Sequence, residues 1–244
     1  MNKKVKGIVI KSKDVGEADK LITLLTAEEG KISVKLKSVK KAKAKLKFAA
    51  ETFCFGEYEL EKGKAGYICT GCDLYELFYE LRGDIKRFYL AAALLEIANN
   101  GCGENTPQPN ELIFLINSLK RISTVKANIE YLAIKILLES VGVFGFGITD
   151  YTCKDCKEDI SGKAYFVFDS CAFYCEEHKR ENVSELSRHA YKLIKACVEL
   201  PDEKIEQLPY VKEDALEGLR FVYKLIYYKL YFKCQSISAF GKML

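Results

Sequence analysis

The sequence predicts a two-domain α+β protein in which a five-stranded barrel precedes an all-helical domain that carries a small cysteine-rich insert. Three observations favour this architecture. Up to about residue 80, apolar residues come in short runs or alternate with polar ones, as they do in β-strands. Beyond residue 83 they recur at helical spacing. Near residues 150–180, five cysteine and histidine residues interrupt the helical pattern. We therefore expect domains at 1–80 and 81–244.

The first domain is expected to contain strands at 8–11, 20–26, 31–37, 52–61 and 66–76. The third is the clearest, because Ile32, Val34 and Leu36 alternate with polar residues and so define one inward face. In the fourth, Gly56 separates two phases of apolar residues, which predicts a one-residue β-bulge. Five strands with turns and a bulge fit an OB-fold barrel, although a five-stranded SH3-like barrel would give a similar pattern.

In the second domain, helices are expected at 84–99, from residue 109 or 110 to 122, and at 127–141, 184–200 and 212–235. The last of them is apolar on more than one side, so it should be buried. The sequence has no apolar stretch of signal-peptide length near its start and no uninterrupted run of about 18 apolar residues. We therefore expect a cytoplasmic protein that does not enter membranes and whose ten cysteines are reduced.

The cysteine-rich insert has the spacing of a zinc site. Cys153 and Cys156 form a C-x-x-C pair, and Cys175 and His178 form a second pair with the same gap. Two such pairs on short turns can surround one zinc ion tetrahedrally. Cys171 is the alternative to His178 in an all-thiolate site, and reduced cysteines without metal are the further alternative. A site with four protein ligands leaves no position for water, so one zinc ion would be structural.

A second C-x-x-C pair, Cys69 and Cys72, falls within the expected fifth strand. Residues i and i+3 of a regular strand point to opposite faces, and no partner pair is evident. We therefore interpret these two as structural residues. The same interpretation applies to the isolated cysteines, which are Cys54, Cys102, Cys197 and Cys234.

Positive charge is concentrated near the start of the sequence. Residues 1–47 contain 14 lysines and five acidic residues, although the net charge of the chain is only +4. Because a run of amines releases counterions from a phosphate backbone, the run predicts a nucleic-acid-binding surface. Its members are Lys31, Lys35, Lys37, Lys40, Lys41, Lys43, Lys45 and Lys47. The first three should lie on a sheet face and the rest on a mobile loop that orders on binding; a solvated loop without a partner is the alternative.

Aromatic residues near the barrel could add base stacking. The candidates are Phe48, Phe53, Phe55 and Tyr67, of which Phe53 and Phe55 are expected in the core. By contrast, no catalytic constellation is evident, since the sequence lacks a P-loop, an H-E-x-x-H motif and a zinc-deaminase motif. One of the two histidines, His178, is assigned to zinc, and His189 is expected in mid-helix. We therefore expect a protein without enzymatic activity.

Taken in order, these features resemble the bacterial RecO family of DNA repair proteins. The matching segments are Gly7-Ile8-Val9-Ile10, Gly16-Glu17-Ala18-Asp19, Leu24-Leu25-Thr26, Glu29-Gly30-Lys31-Ile32, Leu81-Arg82-Gly83-Asp84, the two ligand pairs and Phe168-Asp169. Members of the family usually have a glycine pair where this sequence has Cys171, and often a cysteine at the position of His178. The glycine usual after the third strand is also missing near Ser38.

The resemblance implies a recombination mediator that binds single- and double-stranded DNA and anneals complementary strands. With RecR, such a protein loads RecA onto strands coated by single-stranded DNA-binding protein, at the nucleoid. The resemblance also matches Lys35, Lys37, Lys40, Lys41, Lys43, Lys45 and Lys47 to the basic segment of the family. Three other hypotheses are an RNA-binding or translation-associated protein with a zinc ribbon, a zinc-dependent nucleic-acid enzyme, and an adaptor that binds only proteins.

Overall fold

The computed structural model describes residues 2–63 and 66–243, and its first part is a closed five-stranded barrel. The strands are β1 (Asn2–Val15), β2 (Asp19–Thr26), β3 (Gly30–Leu36), β4 (Phe55–Gly63) and β5 (Gly66–Glu76). Around the barrel they follow the order β1-β2-β3-β5-β4, and β4 pairs back to β1. The β3–β5 pair is parallel and the other four pairs are antiparallel. The predicted OB-fold class is confirmed.

The strand β1 is much longer than expected, because both of its edges are paired. Residues 7–15 pair with β2 and residues 2–8 pair with β4. Gly7 and Ile8 pair with both neighbours. At Gly7 a Cβ atom would lie 2.8 Å from both the Leu24 side chain and the Leu25 carbonyl oxygen. Glycine therefore permits the close approach of β1 to β2 at this point.

The irregularity predicted at Gly56 exists, but the extra residue lies on the neighbouring strand. Between Phe55 and Gly56 the pairing partner on β5 moves by two residues, so that Tyr75 is the extra residue. A second shift of the same kind makes Thr70 an extra residue of β5. The change in the phase of the apolar residues around Gly56 is therefore not caused by an extra residue in β4. Its cause is Phe53, which lies before β4 and has a left-handed backbone (φ 73°).

The interior of the barrel is apolar and contains the predicted residues of β3. Ile32, Val34 and Leu36 are buried, whereas the polar residues between them are partly or fully exposed. The largest residue of this core is Tyr58, which is fully buried and donates its hydroxyl hydrogen bond to the carbonyl oxygen of Ala49 (3.1 Å). This bond satisfies the polar end of a ring that fills the barrel interior.

The chain divides into two compact units, residues 1–83 with 95–120 and residues 84–94 with 121–244. Two helices, α1 (Ile85–Gly101) and α2 (Pro109–Thr124), contribute residues to both units. The second unit also contains α3 (Ile129–Val143), three short strands and α4 to α7. The strands are β6 (Ala164–Val167), β7 (Ala172–Tyr174) and β8 (Ser184–Leu186), in the order β7-β6-β8; the helices are α4 (Arg188–Glu199), α5 (Asp202–Ile205), α6 (Lys212–Leu230) and α7 (Gln235–Gly241).

Two of the predicted helices differ from the structure. Residues 184–186 form β8 rather than the start of a helix, and α4 begins at Arg188, where the Ser187 hydroxyl accepts a hydrogen bond from the Ala190 N–H (3.2 Å). The long helix expected at 212–235 ends at Leu230, because Tyr231 takes a left-handed conformation (φ 55°). The prediction that this helix is buried holds for one face only, since Tyr227 and Tyr228 are exposed.

Candidate metal centre and nucleic-acid interface

The first ligand pair lies on a tight turn. The Cys153 N–H donates to the carbonyl oxygen of Glu158 (3.0 Å), and the Lys157 N–H donates to the carbonyl oxygen of Cys153 (2.9 Å). Lys157 closes the turn with a left-handed backbone (φ 64°). The sequence therefore folds back within six residues, which allows both cysteines of the pair to face one point.

The second ligand pair follows the hairpin of β6 and β7. Cys175 comes directly after β7, and a short 3-10 helix, Glu176–His178, brings His178 back towards it. The His178 N–H donates to the Cys175 carbonyl oxygen (3.2 Å). An ion pair between Arg180 and Asp155 (2.5 Å) then joins the second ligand turn to the first.

The two turns bring four ligand atoms together. One atom each from Cys153, Cys156, Cys175 and His178 lies within 4.8 Å of all the others. The Nδ1 atom of His178 is 3.1 Å from the Cys175 sulfur and 3.8 Å from the Cys153 sulfur. Zinc–ligand bonds of about 2.0–2.3 Å place the ligand atoms of a tetrahedron about 3.5–3.8 Å apart. The geometry and the donor set therefore fit one zinc ion, with Nδ1 as the histidine ligand.

Backbone groups support a thiolate at Cys153. Burial alone would raise the pKa of this thiol, but N–H groups of Cys156, Cys175 and Asp155 donate to its sulfur and lower the pKa to about 6. Zinc binds the thiolate form of cysteine, so these donors favour the protonation state that a metal requires. When bound, the zinc would cross-link the two turns and stabilise the fold of the insert.

Cys171, the alternative ligand, does not belong to this group. It lies in the turn between β6 and β7 with a left-handed backbone (φ 47°). Its sulfur is 3.7 Å from the carbonyl oxygens of Phe146 and Phe168. Of the two ligand sets that the sequence allows, the structure therefore brings together the one that contains His178.

Aromatic packing fixes the insert to the helices of the second unit. Phe173 of β7 is fully buried, and its ring lies 5.3 Å from that of Tyr191 on α4 and 5.9 Å from that of Phe221 on α6. Phe166 of β6 also packs edge-to-face on Phe221 at 4.9 Å. If the two ligand turns unfolded, this cluster of aromatic rings would therefore be exposed to water.

The other C-x-x-C pair has a different environment from the one expected. Because Thr70 is an extra residue, Cys69 and Cys72 both pack against the barrel core instead of pointing to opposite faces. Cys72 forms a side-chain hydrogen bond with Cys54, which lowers the pKa of Cys54. Burial raises the pKa of Cys69 to about 11, so this thiol remains protonated at neutral pH. The interpretation as structural residues agrees with this position, but the assignment of faces was wrong.

Three of the eight predicted lysines have partners within the protein. Lys31 donates to the carbonyl oxygen of Asn99, near the end of α1 (2.5 Å). Lys35 pairs with Asp19 (2.9 Å) and Lys40 pairs with Asp14 (2.6 Å). A backbone hydrogen bond from Ser38, followed by the ion pair with Lys35, lowers the pKa of Asp19. The side chain of Lys40 likewise lowers the pKa of Asp14. The sequence does not reveal these two acids as partners, because they lie on the β1–β2 hairpin.

The remaining five lysines form what we call the free lysine segment: Lys37, Lys41, Lys43, Lys45 and Lys47. All five are exposed, and none has an ion pair within the described residues. The loop that carries them is held at both ends. Val39 is buried in the barrel core, Leu46 packs against that core, and the Lys40 N–H donates to the Ala18 carbonyl oxygen (3.0 Å). The segment thus presents amines to solvent from a loop with fixed ends.

The four aromatic candidates for base stacking also differ from one another in burial and contacts. Phe53 is buried as expected, and Phe48 packs partly buried on the barrel core. Phe55 is only partly buried and packs edge-to-face on the exposed Tyr75 at 5.3 Å, which corrects the prediction of a core position. The Tyr67 ring is covered by the Lys3 ammonium, 3.8 Å from its centroid.

In the described part of the chain, no helix is long and apolar enough to cross a membrane.

Comparison with known proteins identifies the family. Residues 1–78 match the family described as "Recombination protein O N terminal", and residues 82–236 match "Recombination protein O C terminal". The DNA repair protein RecO of Acetivibrio thermocellus is 32% identical over 71% of this chain and 69% of its own length. Those of Clostridium kluyveri (27% identical, 94% of this chain and 89% of the relative) and Staphylococcus haemolyticus (28%, 97% and 96%) match over almost the whole length. The chain belongs to the RecO family of DNA repair proteins.

Proposed function

We propose that this RecO-family protein is a DNA-binding recombination mediator that acts at the nucleoid in the cytoplasm. It binds single- and double-stranded DNA, anneals complementary strands and, together with RecR, promotes the loading of RecA onto DNA coated by single-stranded DNA-binding protein. The observation that carries the proposal is the free lysine segment. In the part of the chain that the structure describes, five exposed amines without ion pairs lie on one loop of an OB-fold barrel, and the relatives of the chain are DNA repair proteins.

The physical basis of this activity is charge neutralisation. Two complementary strands repel each other through their phosphates, and lysines that contact those phosphates release condensed counterions. Because the contacts are made to the backbone, they do not depend on base sequence and leave the bases free to pair. The lysines with internal partners, Lys31, Lys35 and Lys40, contribute less to this effect, since DNA would have to compete with those partners.

The proposal is tested by the salt dependence of DNA binding. Replacement of all five residues of the free lysine segment by alanine should reduce the slope of log K against log salt by up to about 4.5 for duplex DNA, if each lysine contacts one phosphate. The matched control removes five exposed lysines of the second unit, which are Lys126, Lys154, Lys192, Lys204 and Lys212. An unchanged slope in the first variant, or an equal reduction in the control, would place the DNA site elsewhere.

Strand annealing separates this function from the RNA-binding alternative. We expect purified protein to accelerate the pairing of complementary DNA strands, with a rate that changes when RecR is added. Structured RNA should compete for binding no better than DNA of equal length. A clear preference for structured RNA would instead favour a translation-associated role.

We further propose that the protein has no catalytic activity of its own. Four protein ligands meet at the metal centre, and a closed tetrahedral site offers no position for a reactive water. Purified protein should therefore leave labelled DNA intact in the presence of magnesium and ATP. A nuclease or deaminase activity that disappears in the Cys153→Ser variant would overturn this proposal.

A further inference from the structure

A second concentration of positive charge lies in residues 218–244. Residues 218–244 contain five basic residues, Arg220, Lys224, Lys229, Lys233 and Lys242, and no acidic residue. Tyrosines and phenylalanines separate these cations, so the stretch lacks the dense lysine pattern of residues 31–47. The feature that distinguishes this stretch is therefore the lack of acidic residues.

On α6, part of this stretch forms a single exposed face. Arg220, Lys224 and Tyr227 follow one another at intervals of four and three residues, which places them on the same side of α6, and Tyr231 directly follows the last residue of the helix. Arg220 and Lys224 are exposed, and Tyr227 and Tyr231 are 48% and 88% exposed. Together with Lys233, which is also exposed, these residues are called the α6 stripe. From Arg220 to Tyr231 it extends about 16 Å along the helix.

The side chains next to the stripe on α6 are held by other groups of the second unit. The Tyr228 hydroxyl donates to the Asp169 carboxylate (2.5 Å), and its ring stacks on Phe168. Lys229 donates to the Asp169 carbonyl oxygen (3.2 Å). Within residues 2–63 and 66–243, no ion pair or side-chain hydrogen bond holds Arg220, Lys224 or Lys233. Their charges are therefore available to a ligand.

The exposure of Tyr231 points to the chemistry of that ligand. This ring has the highest exposure among the large apolar side chains described, although burial of an aromatic ring is favourable. It stands at the end of a helix whose opposite face is packed in the core of the second unit. Exposed rings beside cations are the arrangement by which proteins bind unpaired nucleic-acid strands: the rings stack on bases and the cations contact phosphates.

We propose that the α6 stripe is a second nucleic-acid site, which binds the unpaired bases of a single DNA strand. The proposal rests on the proposed DNA-binding function and adds to it a site in the other compact unit. A protein that anneals strands has to hold one strand with its bases accessible, which stacking on Tyr227 and Tyr231 would achieve. Duplex DNA offers only phosphates to the stripe, because its bases are already stacked on each other. The stripe should therefore distinguish single strands from duplexes, whereas the free lysine segment should not.

The test compares the two DNA forms on the full-length zinc-containing protein. Binding of a fluorescent oligo(dT) and of a duplex of equal length is measured by anisotropy. In the Tyr227→Ala/Tyr231→Ala variant, the dissociation constant for oligo(dT) should rise about tenfold or more, since loss of a stacked base commonly has this effect. The value for the duplex should change less than about twofold. The Tyr227→Phe/Tyr231→Phe variant keeps both rings and should bind oligo(dT) as the unmodified protein does.

The matched control is Tyr75→Ala/Tyr79→Ala, which removes two tyrosines of the first unit that are 47% and 62% exposed. Lys6 and Arg82 lie over these two rings (6.0 and 5.6 Å to the ring centroids). Asp73, Glu76 and Glu80 are nearby exposed acids that disfavour a nucleic-acid contact, so this variant should bind oligo(dT) normally. Unchanged zinc content and melting temperature in all variants show that folding is intact.

Three results would overturn the inference. The first is unchanged oligo(dT) binding in the Tyr227→Ala/Tyr231→Ala variant, and the second is an equal loss of duplex binding. The third is loss of binding to a fluorescent polyglutamate peptide with oligo(dT) binding retained, which would make the stripe a site for an acidic protein. A different result would contradict the proposed DNA-binding function itself: the unmodified protein would bind neither DNA form in a salt-dependent manner.

Discussion

The two C-x-x-C pairs of this protein have the same spacing and opposite environments. Cys153 and Cys156 lie on a hydrogen-bonded turn that faces Cys175 and His178, whereas Cys69 and Cys72 lie on β5 and pack on the apolar interior of the barrel. Backbone N–H groups lower the pKa of Cys153 to about 6, while burial raises that of Cys69 to about 11. The spacing alone therefore does not make a metal site. A turn with free N–H donors and a second ligand pair are also required.

The largest effect that tests this contrast is loss of the metal. The unmodified protein should contain about one zinc ion per chain, and the Cys153→Ser variant essentially none. Because a structural zinc ion can contribute on the order of 10 kcal/mol of folding free energy, the second unit should also unfold at much lower urea concentration. Elemental analysis and urea unfolding provide the two measurements.

Two cysteine variants serve as controls for that experiment. Cys72→Ser belongs to the other C-x-x-C pair, and Cys171→Ser removes the alternative ligand. Both should keep their zinc. Loss of zinc in Cys171→Ser would show that this thiolate, rather than His178, completes the site, and loss in Cys72→Ser would contradict the contrast between the two pairs.

An intermediate effect is expected at Gly56, beside the second pair. A Cβ atom at this position would lie 2.6 Å from the Asp73 carbonyl oxygen and 3.2 Å from the Cys72 sulfur. Since the first contact is with backbone, Gly56→Ala should lower the free energy of unfolding of the barrel by about 1–3 kcal/mol and leave the zinc content unchanged. At the control position, Gly83, the nearest atom to an added Cβ is 3.6 Å away, and Gly83→Ala should change stability much less. Equal stability of the two variants would show that β4 and β5 are not packed as described.

The smallest effect concerns pH. The Cys69 thiol keeps its proton up to a pKa of about 11 in the folded protein, whereas an unfolded chain loses that proton near about 8.5. Above about pH 8.5 the folded state therefore binds more protons than the unfolded state, and stability falls as the pH rises. Between pH 8 and pH 10 this thiol should account for about 1–2 kcal/mol of lost stability. Urea unfolding at both pH values should show a smaller loss in Cys69→Ala than in the unmodified protein or in Thr70→Ala.

Much of the barrel could be predicted from the sequence. The alternation in residues 31–37 identified β3 with its inward face, and the approximate positions of β2, β4 and β5 were also found. The prediction for residues 184–186 was wrong because a strand of three residues is too short to show a period. It exists because its backbone pairs with β6, a contact between residues about twenty positions apart. Such pairing is not visible in a local pattern.

The candidate sites, like the barrel, could be predicted from the sequence only in part. Spacing was sufficient to identify two possible ligand sets, since metal geometry restricts which gaps can close a tetrahedron. The fold then separated His178 from Cys171, because the β6–β7 turn directs Cys171 towards backbone carbonyl groups. For the lysines, composition identified the segment but could not show that Asp14 and Asp19 pair with two of them.

The class of the fold, the position of the basic segment and an insert with the spacing of a metal site could all be predicted from the amino-acid sequence, because each follows from composition or from spacing within about 30 residues. Which lysines remain unpaired among the described residues, which thiols lie beside a histidine and which face of α6 is exposed became visible only in the folded chain. These properties depend on groups that are distant in the chain and are brought together by barrel closure and helix packing. The two C-x-x-C pairs differ for that reason, since their neighbours, and not their spacing, set the pKa of each thiol and the presence of a second ligand pair.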